Sequence, residues 1–135
     1  MNKSPFILIV DDNRMNRLVL SKQLSSLEIP ISECEDGQQA IDAIKESTFQ
    51  HIIVLLDLNM PVMDGYKFLL YLRDNKVEFT GKQIEVIVVS ASEYAVFKER
   101  KLDVEIVAYL QKVVSKVMLI DAIELAIGKF DFDGI

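Results

Sequence analysis

Short apolar runs recur along the chain, and most of them end at a polar residue. The run at 52–56 contains five apolar residues and leads directly into Asp57. Short apolar runs that are rich in β-branched residues and bounded by turn residues are typical of buried strands. This pattern predicts strands at 6–10, 31–34, 52–56, 86–89 and 106–110.

Segments with helical periodicity alternate with these strands. They predict helices at about 14–27, 38–45, 65–74, 94–101 and 115–127. The first helix carries a mostly apolar stripe, which we expect to face the core, of Met15, Leu18, Val19, Lys22 and Leu24. Asp36 and Asp64 are predicted N-caps, and Gly128 is predicted to follow the last helix as its C′ residue.

The alternation of strand and helix predicts an α/β fold with a parallel sheet and helices on both faces. Right-handed crossovers restrict the possible topologies to a few doubly wound forms. We expect a flavodoxin-like, five-stranded parallel sheet in the order 2-1-3-4-5 with five helices. The 135 residues suit one domain over 1–135, with a core at about 5–128 and a tail at 129–135.

Composition excludes several classes of protein. The net charge is −6 and the basic residues are scattered, which argues against direct nucleic-acid binding. No apolar run is long enough to cross a bilayer, so no membrane insertion is expected. The single cysteine, Cys34, cannot form an internal disulfide and fits a reducing, cytoplasmic location. His51 directly precedes a strand, which favours a structural role.

Polar residues follow four of the predicted strands at equivalent points. Asp11 and Asp12 follow the first strand, and Asp57 follows the third. Ser90 follows the fourth strand and Lys112 the fifth. Since these four strands are neighbours in the order 2-1-3-4-5, their carboxyl ends line one edge of the sheet. The sequence therefore predicts a shallow polar pocket at that edge.

The charges of this pocket indicate its chemistry. Three carboxylates and one ammonium leave two negative charges uncompensated, and like charges held close together raise carboxylate pKa values. An all-oxygen ligand set without His or Cys favours a hard divalent cation such as Mg²⁺. A hard cation beside a carboxylate suits phosphoryl transfer. Asp57 is then a candidate nucleophile toward phosphorus, and Ser90 and Lys112 could hold the added oxygens.

These motifs together resemble the receiver domain of two-component response regulators, and the resemblance covers nearly the whole chain. The matching segments are Asp11-Asp12, the stretch 57–65 (Asp-Leu-Asn-Met-Pro-Val-Met-Asp-Gly), Ser90-Ala91 and Tyr109-Leu110-Gln111-Lys112. The run at 11–17 (Asp-Asp-Asn-Arg-Met-Asn-Arg) is similar to receivers that are fused to hybrid histidine kinases or work with them.

The resemblance implies a role for each residue of the pocket. Asp57 would be the phosphoacceptor, and Lys112 would pair with the phosphoryl group. Asp12 and Asp57 would bind Mg²⁺ (or Mn²⁺) through their side chains, Asn59 through its backbone carbonyl, and Asp11 mostly through water. Ser90 and Tyr109 would take the switch positions.

The resemblance also implies partners. The phosphoryl donor would be a phosphohistidine on a histidine kinase or a histidine phosphotransfer protein, docking near the first helix. Output would pass to a downstream protein through the face made by the fourth helix, fifth strand and fifth helix. The chain would not be an enzyme, beyond catalysing its own phosphorylation and its own slow dephosphorylation.

Two departures from the family pattern leave points open. Val113 follows Lys112 where the family usually has proline after a cis bond, so the conformation of this bond is open. Residues 102–105 lack the glycine commonly found before the fifth strand, which leaves the end of the fourth helix open.

Three alternative functions compete with the receiver. An aspartyl-nucleophile phosphohydrolase would need a second acid at the position of Asn59. A flavin-binding module would need a phosphate loop rich in Ser, Thr and Gly after the first strand, where this chain is acidic. A pseudo-receiver that is never phosphorylated has the same fold, and the missing proline after Lys112 keeps it under consideration.

Overall fold

A computed structural model describes residues 2–130. Five parallel strands form one sheet in the order β2-β1-β3-β4-β5. The strands are β1 (Asn2–Val10), β2 (Ile31–Cys34), β3 (Phe49–Leu56), β4 (Gln83–Ser90) and β5 (Ala108–Gln111). The helices are α1 (Arg14–Leu24), α2 (Gly37–Glu46), α3 (Gly65–Asp74), α4 (Tyr94–Glu99) and α5 (Lys116–Lys129). The predicted flavodoxin-like fold and strand order are confirmed.

Both faces of the sheet are buried, which explains why its strands are continuous apolar runs in the sequence. Successive side chains of a strand point to opposite faces, so Val54 and Leu56 of β3 pack on one side and Ile53 and Leu55 on the other. α2, α3 and α4 cover the first face, and α1 and α5 cover the second. Among residues 2–130, no helix combines the length and the apolar character needed to cross a bilayer.

The predicted N-caps are confirmed. The Asp36 carboxylate accepts a hydrogen bond from the backbone N–H of Gln39 at 2.9 Å, at the start of α2. The Asp64 carboxylate accepts one from the N–H of Lys67 at 2.8 Å, at the start of α3. Because an N-cap satisfies one of the free amides of the first turn, these two aspartates set where both helices begin.

The predicted apolar stripe of α1 is confirmed at Leu24, which is buried, and is wrong for its other members. Its members Met15, Leu18 and Val19 are 63%, 44% and 47% exposed. The buried residues of α1 are Arg17, Leu20 and Leu24, which lie at positions i, i+3 and i+7 of one helix face. The helix turns this face to the sheet because Leu20 and Leu24 fill the core there, while the Arg17 guanidinium finds partners at the strand ends.

The predicted end of α5 at Gly128 is also wrong. Gly128 lies inside the helix, which ends at Lys129. The next residue, Phe130, is 5% exposed and its ring stacks on the buried His51 at a centroid distance of 4.5 Å. This apolar contact holds the last turn against the core. The remainder of the predicted tail, 131–135, lies outside the described residues.

The segment between α4 and β5 is longer than the predicted helix at about 94–101 and the predicted strand at 106–110 imply. α4 ends at Glu99 and β5 begins at Ala108, so the helix and the strand are separated by an irregular segment at 100–107. Lys101 and Asp103 adopt positive φ angles of 49° and 54° there. Since this stretch lacks glycine, residues with side chains occupy the left-handed conformations that glycine usually takes.

Candidate functional site

The carboxyl ends of four neighbouring strands meet at one edge of the sheet, as predicted. The Asp57 N–H donates to the Val10 carbonyl at 2.9 Å, which sets the end of β3 beside the end of β1. The Lys112 N–H donates to the Ser90 carbonyl at 2.8 Å, which does the same for β5 and β4. The backbone therefore delivers the side chains that follow these strands to a common place.

Three carboxylates cluster at this edge. Asp11, Asp12 and Asp57 each offer an oxygen within 4.8 Å of the others. Asp11 and Asp57 are only 2% and 7% exposed, whereas Asp12 is exposed. The sequence-based prediction that these three acids share one pocket is confirmed by their geometry.

Lys112 reaches into the same cluster. Its Nζ atom lies 2.9 Å from Asp11 Oδ2 and 3.8 Å from Asp57 Oδ1, so its closer ion pair is with Asp11. The Lys112–Val113 peptide bond, which the sequence left open, is cis. Sequence analysis placed both residues in this pocket but did not predict that Lys112 pairs more closely with Asp11 than with Asp57, because strand order does not fix side-chain distances.

The environment of Asp57 raises its pKa to about 6. Burial is the largest cause, because removal from water disfavours the charged carboxylate. The Lys112 ammonium lowers the pKa of Asp57, and the nearby Asp11 carboxylate raises it. Backbone hydrogen bonds from Asn59 and Leu58 also lower the pKa of Asp57.

The donor set of this cluster fits a hard divalent cation. Its charged groups are three carboxylates against one ammonium, so negative charge is left without compensation. Carboxylate oxygens without nitrogen or sulfur partners are the ligands that Mg²⁺ prefers. The exposed position of Asp12 leaves the cluster open to solvent on one side, as an ion that keeps several waters requires.

Ser90 and Tyr109 converge on the loop that follows β4. Ser90 is fully buried, and its Oγ accepts a hydrogen bond from the Ser92 N–H at 3.2 Å. The Tyr109 hydroxyl donates to the Ser92 carbonyl at 2.6 Å. Burial raises the pKa of Tyr109, and a hydrogen bond with Ser90 opposes that shift. The Tyr109 ring packs against those of Tyr94 and Phe97 in α4, with centroid distances of 5.3 and 5.5 Å.

Sequence reasoning missed two residues of this region. Ser92 accepts a hydrogen bond from the Asn59 side-chain amide at 3.4 Å, which bridges the loops after β3 and β4. Arg17 donates to the Asp11 carbonyl at 2.7 Å. The spacing of Arg17 from Leu20 and Leu24 could have revealed that it belongs to the buried face of α1.

A separate cavity of about 570 Å³ lies between α3, β4 and the segment that precedes β5. Leu69, Phe79 and Val86 contribute to its apolar wall, and Arg73 and Lys76 lie among its charged lining residues. None of the strand-end residues lines it. By volume this cavity would be the first candidate for a site. However, the acidic cluster brings three carboxylates and an ammonium together at the ends of the strands, so we assign the candidate chemistry to the cluster.

The carboxyl edge of a doubly wound parallel sheet thus gathers three aspartates and a lysine, a constellation suited to phosphoryl chemistry with a hard cation. Residues 7–124 match the family described as the response regulator receiver domain. The chain belongs to this family. It is a receiver domain of two-component signalling whose acidic residues cluster as in a phosphorylation site, and the family consists of signalling modules rather than conventional enzymes.

Hybrid and sensor histidine kinases are among its relatives. The chain is 31% identical over 118 residues to hybrid signal transduction histidine kinase E of Dictyostelium discoideum, with 86% of this chain and 7% of that protein covered. It is 31% identical over 129 residues to sensor histidine kinase RcsC of Salmonella typhi, with 96% and 12% covered. The chain thus spans only a small part of these relatives.

A solved receiver domain has a similar fold. The receiver domain of a sensor histidine kinase from Pseudomonas aeruginosa PAO1 superimposes with a TM-score of 0.76 at 26% sequence identity. The match covers 94% of this chain and 99% of that domain. The crystal structure of that domain has a magnesium ion coordinated in the active-site cleft.

Proposed function

We propose that Asp57 accepts a phosphoryl group from a phosphohistidine in a Mg²⁺-dependent reaction. The convergence of three carboxylates and Lys112 at one edge of the sheet carries this proposal. An Asp57 carboxylate oxygen attacks phosphorus, and the bond between phosphorus and the donor's imidazole nitrogen breaks. The nitrogen leaves with the bonding electrons, and the product is an acyl phosphate. With a pKa of about 6, most Asp57 side chains are ionised at neutral pH and competent for attack.

Lys112 and Ser90 are proposed to hold the new phosphoryl oxygens. Lys112 Nζ is 3.8 Å from Asp57 Oδ1, so a modest side-chain movement away from Asp11 brings the ammonium to a group attached there. Ser90 lies at the end of the strand next to β3, and its hydroxyl can donate a hydrogen bond to a phosphoryl oxygen. Both contacts strengthen as negative charge grows at Asp57.

The proposed ligands of Mg²⁺ (or Mn²⁺) are the side chains of Asp12 and Asp57, the backbone carbonyl of Asn59, and Asp11 through water. When bound, the ion neutralises charge on the transferred phosphoryl oxygens. Asp11 is held in place by Lys112 and by the Asn13 N–H, which donates to Asp11 Oδ1 at 2.9 Å. This leaves the exposed Asp12 as the carboxylate most accessible to an arriving ion.

Chelation of divalent metal is expected to stop phosphorylation. The chain is incubated with a small phosphoramidate and Mg²⁺, and the gain of one phosphoryl group is followed by mass spectrometry. With EDTA in place of Mg²⁺ we expect the rate to fall by roughly 100-fold or more, because the ion stabilises the transferred charge by several kcal/mol. Re-addition of Mg²⁺ or Mn²⁺ restores uptake. An equal rate in EDTA would contradict the metal-dependent reaction.

The surface beside the pocket suits a donor protein. Val19 of α1 and Val113 of the loop after β5 line one small cavity, and further exposed apolar side chains lie on α1 and α5. We term this set the α1/α5 apolar face: Met15, Leu18, Val19, Val113 and Val117. Val113 is 96% exposed and follows Lys112 directly. Contiguous exposed apolar residues are typical of protein–protein contacts. We propose that a histidine kinase or phosphotransfer protein docks there, with its phosphohistidine over Asp57.

A charge on the α1/α5 apolar face is expected to slow transfer from a protein donor. Phosphohistidine-bearing kinases and phosphotransfer proteins are screened, and the fastest donor to the unmodified chain is used. For each variant, the rate of transfer from this donor protein is divided by the rate of uptake from the phosphoramidate. Val19→Glu should lower this ratio by about tenfold, because docking would bury an unpaired charge. Val77→Glu places the same charge on a side chain that is 86% exposed outside this face, and is the control. Equal ratios for the two variants would exclude the face as the docking site.

A downstream protein is proposed to bind the face made by α4, β5 and α5. Phosphorylation changes Asp57 from one negative charge to about two, which is a local event. Ser90 would move toward the new oxygens, and the Tyr109 side chain would follow it because both contact the Ser92 backbone. Tyr109 packs on Tyr94 of α4, which is 52% exposed, so its movement would alter a surface that a downstream protein can bind.

A further inference from the structure

A buried guanidinium lies directly behind the acidic cluster. Arg17 of α1 is only 8% exposed, and its guanidinium contacts three residues at the ends of β1 and β2. Its Nη1 donates to the Asp11 carbonyl at 2.7 Å, and its Nε donates to Glu33 Oε1 of β2 at 2.9 Å. Its Nη2 lies 3.8 Å from Glu35 Oε1. A buried charge is retained only where its hydrogen bonds are satisfied, so these contacts hold the guanidinium in one orientation.

The contacts of Arg17 complete the immobilisation of Asp11. The Asp11 N–H donates to the Cys34 carbonyl at 3.0 Å, and its carbonyl accepts from Arg17. The Asp11 carboxylate then accepts from Asn13 and pairs with Lys112. Both backbone groups and both carboxylate oxygens of Asp11 are therefore engaged. Loss of the Arg17 contact would leave a buried carbonyl without a partner and free the peptide to turn.

We propose that Arg17 is a positioning residue for the metal and phosphoryl chemistry of the pocket, acting through the Asp11 backbone. This inference rests on the proposed function, because it assigns Arg17 a part in binding the ion. Among the described residues, the hydrogen bonds and ion pairs of Arg17 are with Asp11, Glu33 and Glu35, and none is with Asp57 or Asp12. Its role is to hold the direction in which Asp11 presents its carboxylate to Lys112 and to a bound ion.

Electrostatics and positioning predict opposite results when Arg17 is removed. A cation near the cluster repels Mg²⁺, and it also masks Glu33 and Glu35. By charge alone, a neutral residue at this position would tighten Mg²⁺ binding. If Arg17 positions Asp11, its removal weakens binding, as is common when residues that orient metal ligands are replaced. The sign of the change therefore separates the two effects.

The test is a calorimetric titration of Mg²⁺ into the metal-free chain of residues 1–135. Arg17→Met is compared with Arg14→Met, which removes the same charge from an exposed position on the same helix. We expect the Mg²⁺ dissociation constant to rise about tenfold for Arg17→Met. Arg14→Met should leave it unchanged or slightly lower. Arg17→Lys keeps the charge but not the planar fork, and should give an intermediate value. Thermal unfolding confirms that each variant is folded at the temperature of the titration.

Each outcome decides the matter. If Arg17→Met binds Mg²⁺ as tightly as the unmodified chain or more tightly, the inference is overturned. If Arg17→Met does not fold, Arg17→Lys carries the test: weaker Mg²⁺ binding supports the role, and unchanged binding overturns it. If the unmodified chain neither binds Mg²⁺ nor takes up a phosphoryl group, the proposed function fails and takes the inference with it. If it does both while the Arg17 variants bind normally, only the inference fails.

Discussion

An Asp57→Asn protein is expected to take up no phosphoryl group from a phosphoramidate in the presence of Mg²⁺. The amide is close in size to the carboxylate, so the fold around the end of β3 is kept. The amide oxygen carries no full negative charge, so it is a poor nucleophile toward phosphorus. Asp57 lies 3.8 Å from Lys112, whereas both oxygens of the likewise buried Asp11 carboxylate are already engaged by Lys112 and by the Asn13 N–H. Mass spectrometry should show no phosphorylated species.

The matched control is Asp64→Asn. Asp64 caps α3 a few residues later in the same loop, and asparagine caps helices about as well as aspartate does. This variant should gain one phosphoryl group at a rate near that of the unmodified chain. Amide resonances of Ser90 and Tyr109 should move on phosphorylation in the control and stay in place in Asp57→Asn. Phosphate on the Asp57→Asn chain would show that another residue is the acceptor.

The strand order and the shared acidic edge were predictable because they depend on local pattern and handedness. Each strand is an apolar run that ends at a polar residue, and right-handed crossovers place the carboxyl ends of the strands at one edge of the sheet. The rotation of α1 was not predictable in this way. The helix offers two apolar sets that share Leu24, one with Leu18 and one with Leu20, and the choice depends on the sheet and on partners for Arg17.

The sequence predicted that carboxylate pKa values in the pocket are raised, but it did not predict the main cause. The count of charges indicated that neighbouring carboxylates would raise a pKa, and the pKa of Asp57 is indeed raised, to about 6. The largest cause is burial, and repulsion from Asp11 is smaller than the opposing effect of Lys112. Sequence spacing could not reveal this balance, because it depends on how deeply Asp57 is enclosed and on which carboxylate Lys112 meets first.

Gly65→Ala is expected to destabilise the fold by about 3 kcal/mol, because the added methyl group has no room. Gly65 is the first residue of α3, and its N–H donates to the Leu58 carbonyl at 3.0 Å. A Cβ atom at this position would collide with the Asp57 carbonyl oxygen and lie 2.7 Å from Leu58 Cα. Both are backbone atoms, which cannot move aside as a flexible side chain can. The loss is a large share of the roughly 5–15 kcal/mol by which domains are typically stable.

The control is Gly128→Ala, for which the opposite sign is expected. Gly128 lies inside α5, and a Cβ atom there would have no neighbour within 4 Å. Alanine should stabilise the helix by roughly 0.5–1 kcal/mol through its lower backbone entropy in the unfolded state. Urea unfolding of the unmodified chain and the two variants measures both changes in stability.

The collision in Gly65→Ala falls on the backbone of Asp57 itself. Phosphoryl uptake by the folded fraction of this variant should therefore also fall, while Gly128→Ala keeps the rate of the unmodified chain. A Gly65→Ala protein as stable as the unmodified chain would mean that the backbone after β3 yields easily, and that Asp57 is not held as rigidly as its contacts imply.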